Sequence, residues 1–343
     1  MSPDGLQPPT AGVSRRRADW RPSLTSVVSL AVSGALLVGL YRSMNLRLVG
    51  DVLRGANGGW LFISLSMIVP VTVLRAIRFF WVAPAGTLPG IGEALRLTLV
   101  ASALNVFLPA KTGDLVKSYF VATRGGTSGG VAIAVSVYER LCDLFGLIFW
   151  CLVGWLVGRP LVAAVPSALW SLLGAIGAVC GILIASERAA GLLRTMVARV
   201  FPHRKLRKVR ELAEGWPDLL RVLRGRRGWV VLFSLFLWLV HLIQIWMFTV
   251  ALSVPVPFTA CASLSAIALM AGQVPFTLAG LGTRDVALVV LLAGYMAPEE
   301  AAAMGILIAT RNLLPPLGAL PFIRSYLSAV VDEARVWRTQ ITG

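Results

Sequence analysis

Charge is scarce in this sequence of 343 residues, and acidic charge scarcer still: 14% of the residues are charged, with 16 acids against 32 bases. A soluble domain carries about 25% charged residues. Here 57% of the chain is hydrophobic and the mean hydropathy is +0.78, which excludes a soluble fold and leaves an integral membrane protein. Cysteine is also sparse. Cys142, Cys151, Cys180 and Cys261 lie inside apolar runs without metal-ligand spacing, as buried, reduced structural thiols do. The two histidines, His203 and His241, sit in different segments, so no metal site is expected, and His241 reads as a hydrogen-bonded core residue. The dipeptide Gly-Lys is absent. A phosphate-binding P-loop requires it, so the glycine-rich Gly125-Gly126-Thr-Ser-Gly129-Gly130 reads as a connector, and neither ATP drive nor any cofactor is expected. No polar stretch is long enough to build a nucleic-acid groove. The net charge of +16 and pI of about 11.0 therefore point to membrane orientation.

What the chain does have is apolar runs. Those long enough to span a bilayer, about 20 residues, cover 24–41, 60–82, 131–157, 161–185, 229–253 and 300–322, with Pro70 as a kink in the second. Arg75, Arg78 and Phe79-Phe80-Trp81 read as the cytoplasmic end of that second span. Residues 1–23, rich in Pro, Gly and Arg, are expected to form a disordered cytoplasmic tail. Residues 24–185 are expected to be membrane domain, holding a first repeat and the start of a second. Residues 186–228 form a basic cytoplasmic linker, with twelve bases against four acids over 187–228. Residues 229–323 complete the second repeat, and 324–343 form a cytoplasmic tail. The basic run 204–210 either contacts anionic headgroups, at ~1 kcal/mol per base, or only fixes topology.

Two further apolar runs are interrupted. The arms 94–108 and 115–122 flank Asn105-Val-Phe-Leu-Pro-Ala-Lys-Thr-Gly-Asp114, and 260–273 and 286–295 flank 274–285. Each arm is too short to cross alone, and Pro109 and Gly113 break the first pair. Both breaks end in an acid, Asp114 and Asp285, 171 residues apart, and each is followed by a helix carrying an arginine, Arg140 and Arg311, again 171 apart. The basic linker orients both termini to the cytoplasm. Each half then reads span, span, re-entrant hairpin, span in opposite orientation. The expected fold is an all-α polytopic membrane protein, an inverted repeat of six full transmembrane helices and two broken re-entrant hairpins in the cell membrane.

Ionisable residues at mid-membrane are costly, ~2.5–3.5 kcal/mol on insertion scales, and mark pairing or function. The matched offsets put Asp114 near Arg140 and Asp285 near Arg311. Lys111, Lys117, Arg140, Arg284 and Arg311 together can hold a phosphate beside half-helix N-termini, which attract anions. Purely structural ion pairs are the competing reading. Glu139 and Asp143 share a helix face, with Arg140 about 100° round. They serve either proton coupling or neutralisation of the arginines. Asn105, Thr112 and Thr283 are ligands or helix caps.

At these residues the chain resembles the lysylphosphatidylglycerol synthase transmembrane-region family, also called flippase-like membrane proteins, over about residues 24–323. The likeness rests on Asn105 with Pro109, Lys111, Gly113 and Asp114, on Glu139-Arg140 with Asp143, and on Pro275 through Gly280, Gly282, Arg284 and Asp285. The family usually has Arg then Glu where this chain has Lys111 and Asp114, and commonly Glu at Asp285. The resemblance implies a protein that moves a lipid, or a lipid-linked group, between leaflets, without the soluble aminoacyl-transferase domain that some members carry. The expected partners are an anionic phospholipid or a polyprenyl phosphate, the bilayer, and an envelope-biosynthesis enzyme. Two other classes compete: an intramembrane transferase with Asp114 or Glu139 as base, and a non-transporting partner of a synthase.

Overall fold

The computed structural model describes residues 24–42, 44–107, 113–158, 165–200, 207–273, 280–326 and 328. The tail 1–23, most of the tail 324–343, the start of the basic run 204–210, Pro109, Lys111 and Thr112, and Pro275 lie outside the described residues. Within them every regular element is a helix. In chain order these are α1 Leu24–Arg42, α2 Leu46–Arg54, α3 Gly58–Ser66, α4 Ile68–Val82, α5 Ile91–Phe107, α6 Leu115–Gly125 and α7 Gly129–Val157. There follow α8 Ser167–Ala185, α9 Glu187–Val200, α10 Arg207–Val222, α11 Arg227–Ala251, α12 Phe258–Ala271, α13 Thr283–Leu291 and α14 Pro298–Ala319.

Four helices are long and apolar enough to cross a membrane: Gly58–Val82, which joins α3 to α4, then α7, α8 and α11. Asn57 and Ser128 start α3 and α7 by accepting the backbone N–H groups of Trp60 and Val131. The α3–α4 span bends at Met67, where Pro70 withholds the N–H that would bond the Ser66 carbonyl. The expected first and last spans are helical as α1 and α14, of 19 and 22 residues. Glu299, Glu300, Arg311, Pro315 and Pro316 make α14 less apolar than the four.

The interrupted pairs are α5–α6 and α12–α13, with arms of 17, 11, 14 and 9 residues. At 1.5 Å per residue none reaches the ~30 Å of a hydrocarbon core. Gly113 lies where a Cβ would come within 2.6 Å of the Ala101 carbonyl and 2.7 Å of the Asn105 nitrogen, so only glycine lets the first break fold back onto α5. At the second break Gly280 and Gly282 take φ of 76° and 92°, in the left-handed region that glycine adopts without strain.

The long helix α7 runs between two apolar clusters. One gathers Leu147, Ile148 and Cys151 of α7 with α11, α12 and the start of α14, and the other gathers Val131 to Cys142 with α4, α5, α6 and α10. Small residues let these helices approach closely, as in membrane bundles generally. Ser263 of α12 donates to the Cys151 carbonyl at 2.9 Å beside Gly154. All four cysteines are free and buried, as expected.

The basic segment is more than a hydrophilic loop. Ala213, Trp216, Leu219 and Leu220 recur at helical spacing and are buried, and Gly215 of α10 sits directly on Gly130 of α7 with no room for a Cβ on either. Glu187 ties its two ends together, accepting from Arg224 at 3.1 and 2.6 Å and from Arg227. The Arg224 hydrogen bond first, then the Arg227 one, hold the Glu187 carboxyl below the usual carboxylate range.

Candidate functional site

Between the two clusters lies a band of ionisable side chains. On one side, α4, α6 and α7 contribute three cations and three carboxylates. Arg78, 2% exposed, donates to Asp143 at 2.7 Å and lies 3.7 Å from Glu139. Lys117 donates to Glu139 at 3.2 Å, lies 3.7 Å from Asp114, and rests over the Phe79 ring. Arg140 pairs with Asp114 and lies 3.7 Å from Asp143, which also accepts from the Trp238 indole. The break is pinned in register because Ser136 of α7 donates to the Asp114 carbonyl, leaving Ser118 to donate to Ser136. On the other side Arg284 donates twice to Asp285, at 2.7 and 3.1 Å, and once to the Gly305 carbonyl of α14. Asp285 also accepts the Gly282 backbone N–H, capping α13.

Two arginines remain. Arg75 of α4 meets His241 Nε2 at 3.0 Å, and Arg311 of α14 donates to Gln244 Oε1 at 3.2 Å. Since a guanidinium only donates, His241 Nε2 accepts, and its Nδ1–H donates to the Leu237 carbonyl. Gln244 is fully buried and spends its amide N–H on the Ser64 carbonyl near the α3–α4 bend. Both partners are neutral and stand three residues apart on α11. Among the described residues neither Arg75 nor Arg311 has a carboxylate within ion-pair distance, and Arg311 Nε is buried without any acceptor. Six described cations thus face four carboxylates, an excess of two.

Those two arginines open on one cavity of about 150 Å³, lined also by Asn105, Arg140, Arg284 and Asn312. A smaller recess of about 40 Å³, between Arg78, Lys117, Glu139 and Asp143, shares Arg75, Ser102, Asn105 and Arg140 with it. The Asn105 amide donates to Asp114 at 3.4 Å, and its buried oxygen has no donor among the described residues.

The expected Asp114–Arg140 pair is present. Asp285 turns instead to Arg284 beside it, and Arg311 takes Gln244, so the second half does not reproduce the first. Glu139 and Asp143 do share a face, and both serve Arg78. Of the expected phosphate set, Arg140, Arg284 and Arg311 line the cavity and Lys117 lines the recess, while Lys111 lies outside the described residues. Thr283 sits in the first turn of α13, its hydroxyl 3.5 Å from the Gly280 carbonyl. The acids Asp114 and Asp285 themselves sit at the half-helix N-termini, which leaves those positive ends less free for an outside anion than expected. Sequence reasoning missed Arg75, Arg78, His241 and Gln244 as parts of one site. Arg75 and Arg78 read as an interfacial anchor, yet both point inward, because two carboxylates on α7 and an imidazole on α11 receive them. The signals were the i, i+3 spacings 75–78 and 241–244 inside otherwise apolar helices.

The sequence matches the family described as lysylphosphatidylglycerol synthase TM region over residues 26–318. The chain belongs to that family. Every ionisable residue of the band, from Arg75 to Arg311, falls within the part that matches the lysylphosphatidylglycerol synthase TM region. With four helices long and apolar enough to span, this is an integral membrane protein of a lipid-related family. No curated protein matches the chain.

Proposed function

We propose that the protein is a lipid transporter that moves an anionic phospholipid, or a polyprenyl-phosphate-linked lipid, between leaflets. The observation that carries this reading is the pair Arg75 and Arg311: two cations that have no carboxylate partner among the described residues, on two helices, facing one cavity inside an apolar bundle. Unpaired charge there is expensive unless something arrives to neutralise it. A phosphate suits both guanidinium forks, which bind it bidentately. Neutral acceptors hold these arginines in place and yield to an anion more readily than carboxylates would. The balanced network around Arg78 supplies the rigid wall.

The two interrupted helix pairs are read as re-entrant hairpins of an inverted repeat, in a plasma-membrane protein with both termini cytoplasmic. The short arms, the breaks in corresponding positions and the basic segment between the halves support this. Cysteines placed singly at 110–113 should label from inside and those at 279–283 from outside. Labelling of both from one face ends the repeat.

The functional test is purified protein in liposomes with fluorescent phosphatidylglycerol. The expected result is movement of unaltered lipid, lost in Arg75→Gln and Arg311→Gln. Modified lipid would favour a transferase. Neither movement nor modification would favour a non-transporting partner.

A further inference from the structure

The cavity between Arg75 and Arg311 is too small and too polar to hold a whole lipid, so any amphiphile bound there must leave its chain elsewhere. An apolar groove of about 540 Å³ adjoins it. The groove runs between the α3–α4 span, α5 and α14, past Leu65, Val69, Leu99 and Leu314. It meets the cavity at two shared residues, Ile68 and Pro315. Its volume lies within the range of ligand-sized clefts, roughly 300–1,000 Å³, and its outer wall is open: Val69 is 64% exposed.

Three features of the sequence keep this gap from closing. Pro70 bends the span beside Ile68 and Val69. Pro315 and Pro316 interrupt the hydrogen-bond ladder of α14 where it passes from the cavity to the groove. Gly318 sits so close to Leu99 that an added Cβ would already touch it at 3.4 Å, so any larger residue would fill the space. An apolar groove that opens into a cavity lined by two arginines, whose described partners are neutral, is complementary to one kind of occupant, a hydrocarbon chain ending in an anion.

We infer that this groove is the chain channel of the transported lipid: the acyl or prenyl chain lies between the α3–α4 span, α5 and α14 while its phosphate lies against Arg75 and Arg311. The inference rests on the phosphate reading of the cavity and adds the route. Lipid reaches the site sideways from the bilayer, and its chain stays in hydrocarbon-like surroundings while the headgroup is desolvated. A water-soluble phosphate can occupy the cavity without the groove, and this separates the two statements experimentally.

The probes are inorganic phosphate and a phosphatidic acid carrying a diazirine at mid-chain, each added to the full chain in phosphatidylcholine vesicles. Cross-links should concentrate on the groove segments of α3–α4, α5 and α14. They should fall at least tenfold with excess unlabelled dioleoyl phosphatidic acid, but not with diacylglycerol. Val69→Trp and Gly318→Trp, at two exposed positions of the groove wall, should each reduce these cross-links about tenfold and leave phosphate binding unchanged. Arg311→Gln should lose both. Cross-links spread evenly over all lipid-facing helices, or undiminished in both Trp variants while phosphate still binds through Arg311, would overturn the channel and leave the cavity reading standing. Phosphate binding that is the same in Arg311→Gln as in the wild type would overturn the cavity reading, and the channel with it.

Discussion

Arg311 and Arg78 are both buried arginines, 4% and 2% exposed, yet their removal should have opposite consequences. Arg78 is bonded to Asp143 at 2.7 Å and stands 3.7 Å from Glu139. Arg78→Gln leaves those carboxylates short of a cation in the bundle interior, and breaking a buried pair typically costs about 3–5 kcal/mol. Among the described residues Arg311 has one partner, the neutral Gln244. Arg311→Gln strands no carboxylate and relieves an unpaired buried charge, so stability should be unchanged or higher. Transport should respond the other way. Two charge-assisted hydrogen bonds to phosphate, at about 1.5–3 kcal/mol each, amount to about 3–6 kcal/mol. At about 1.4 kcal/mol per tenfold that is roughly a 10²- to 10⁴-fold loss of transport. Arg311→Lys keeps the charge but not the fork and should fall between. Thermal unfolding in detergent and lipid movement in liposomes, measured on the same preparations, test the contrast. The reasoning fails if Arg311→Gln melts as far below the wild type as Arg78→Gln, or transports at the wild-type rate.

Three further outcomes are expected. Arg140→Gln should destabilise by leaving Asp114 with only the more distant Lys117, and adding Asp114→Asn should restore melting temperature and most transport; transport that stays lost in the stable double variant would put Arg140 in the phosphate site. Because hydrogen bonds from Arg224 and Arg227 depress the Glu187 pKa in the folded state, its contribution is complete above the ordinary carboxylate pKa and fades as pH falls through the lowered one. Melting curves across acid pH should show a small loss of stability that Glu187→Gln removes. Gly215→Val should lift α10 off Gly130, and trypsin should then cleave at Arg210 faster than in the wild type.

The sequence made the helices and the two breaks legible because both rest on local chemistry: apolar length for the spans, and Pro109, Gly113, Gly280 and Gly282 for the interruptions. The Asp114–Arg140 pair was legible because an intramembrane acid needs a nearby base. The fate of Arg75 was not. Next to Phe79, Phe80 and Trp81 it looks like an interfacial anchor, and only the approach of α11 shows that an imidazole receives it. Arg311 illustrates the same limit. The equal spacings suggested Asp285, but Asp285 is claimed by its own neighbour and by the Gly282 N–H, both closer in the chain. Symmetry of spacing does not fix partners when a local one is available. The packing of α10 was hidden by its many charges, although Trp216, Leu219 and Leu220 follow helical spacing.

His241 and Gln244 being neutral has an electrical consequence. Among the described residues the site carries an excess of positive charge, and a phosphodiester, if bound as proposed, would remove one unit of it. Any motion that shifts the site through the membrane field does work of ~2.3 kcal/mol per unit charge per 100 mV. The unloaded protein is therefore the form that feels voltage more strongly. An interior-negative potential draws its arginines toward the cytoplasm. On the proposed transport reading, collapsing the potential should therefore slow the step made without lipid more than the step made with it.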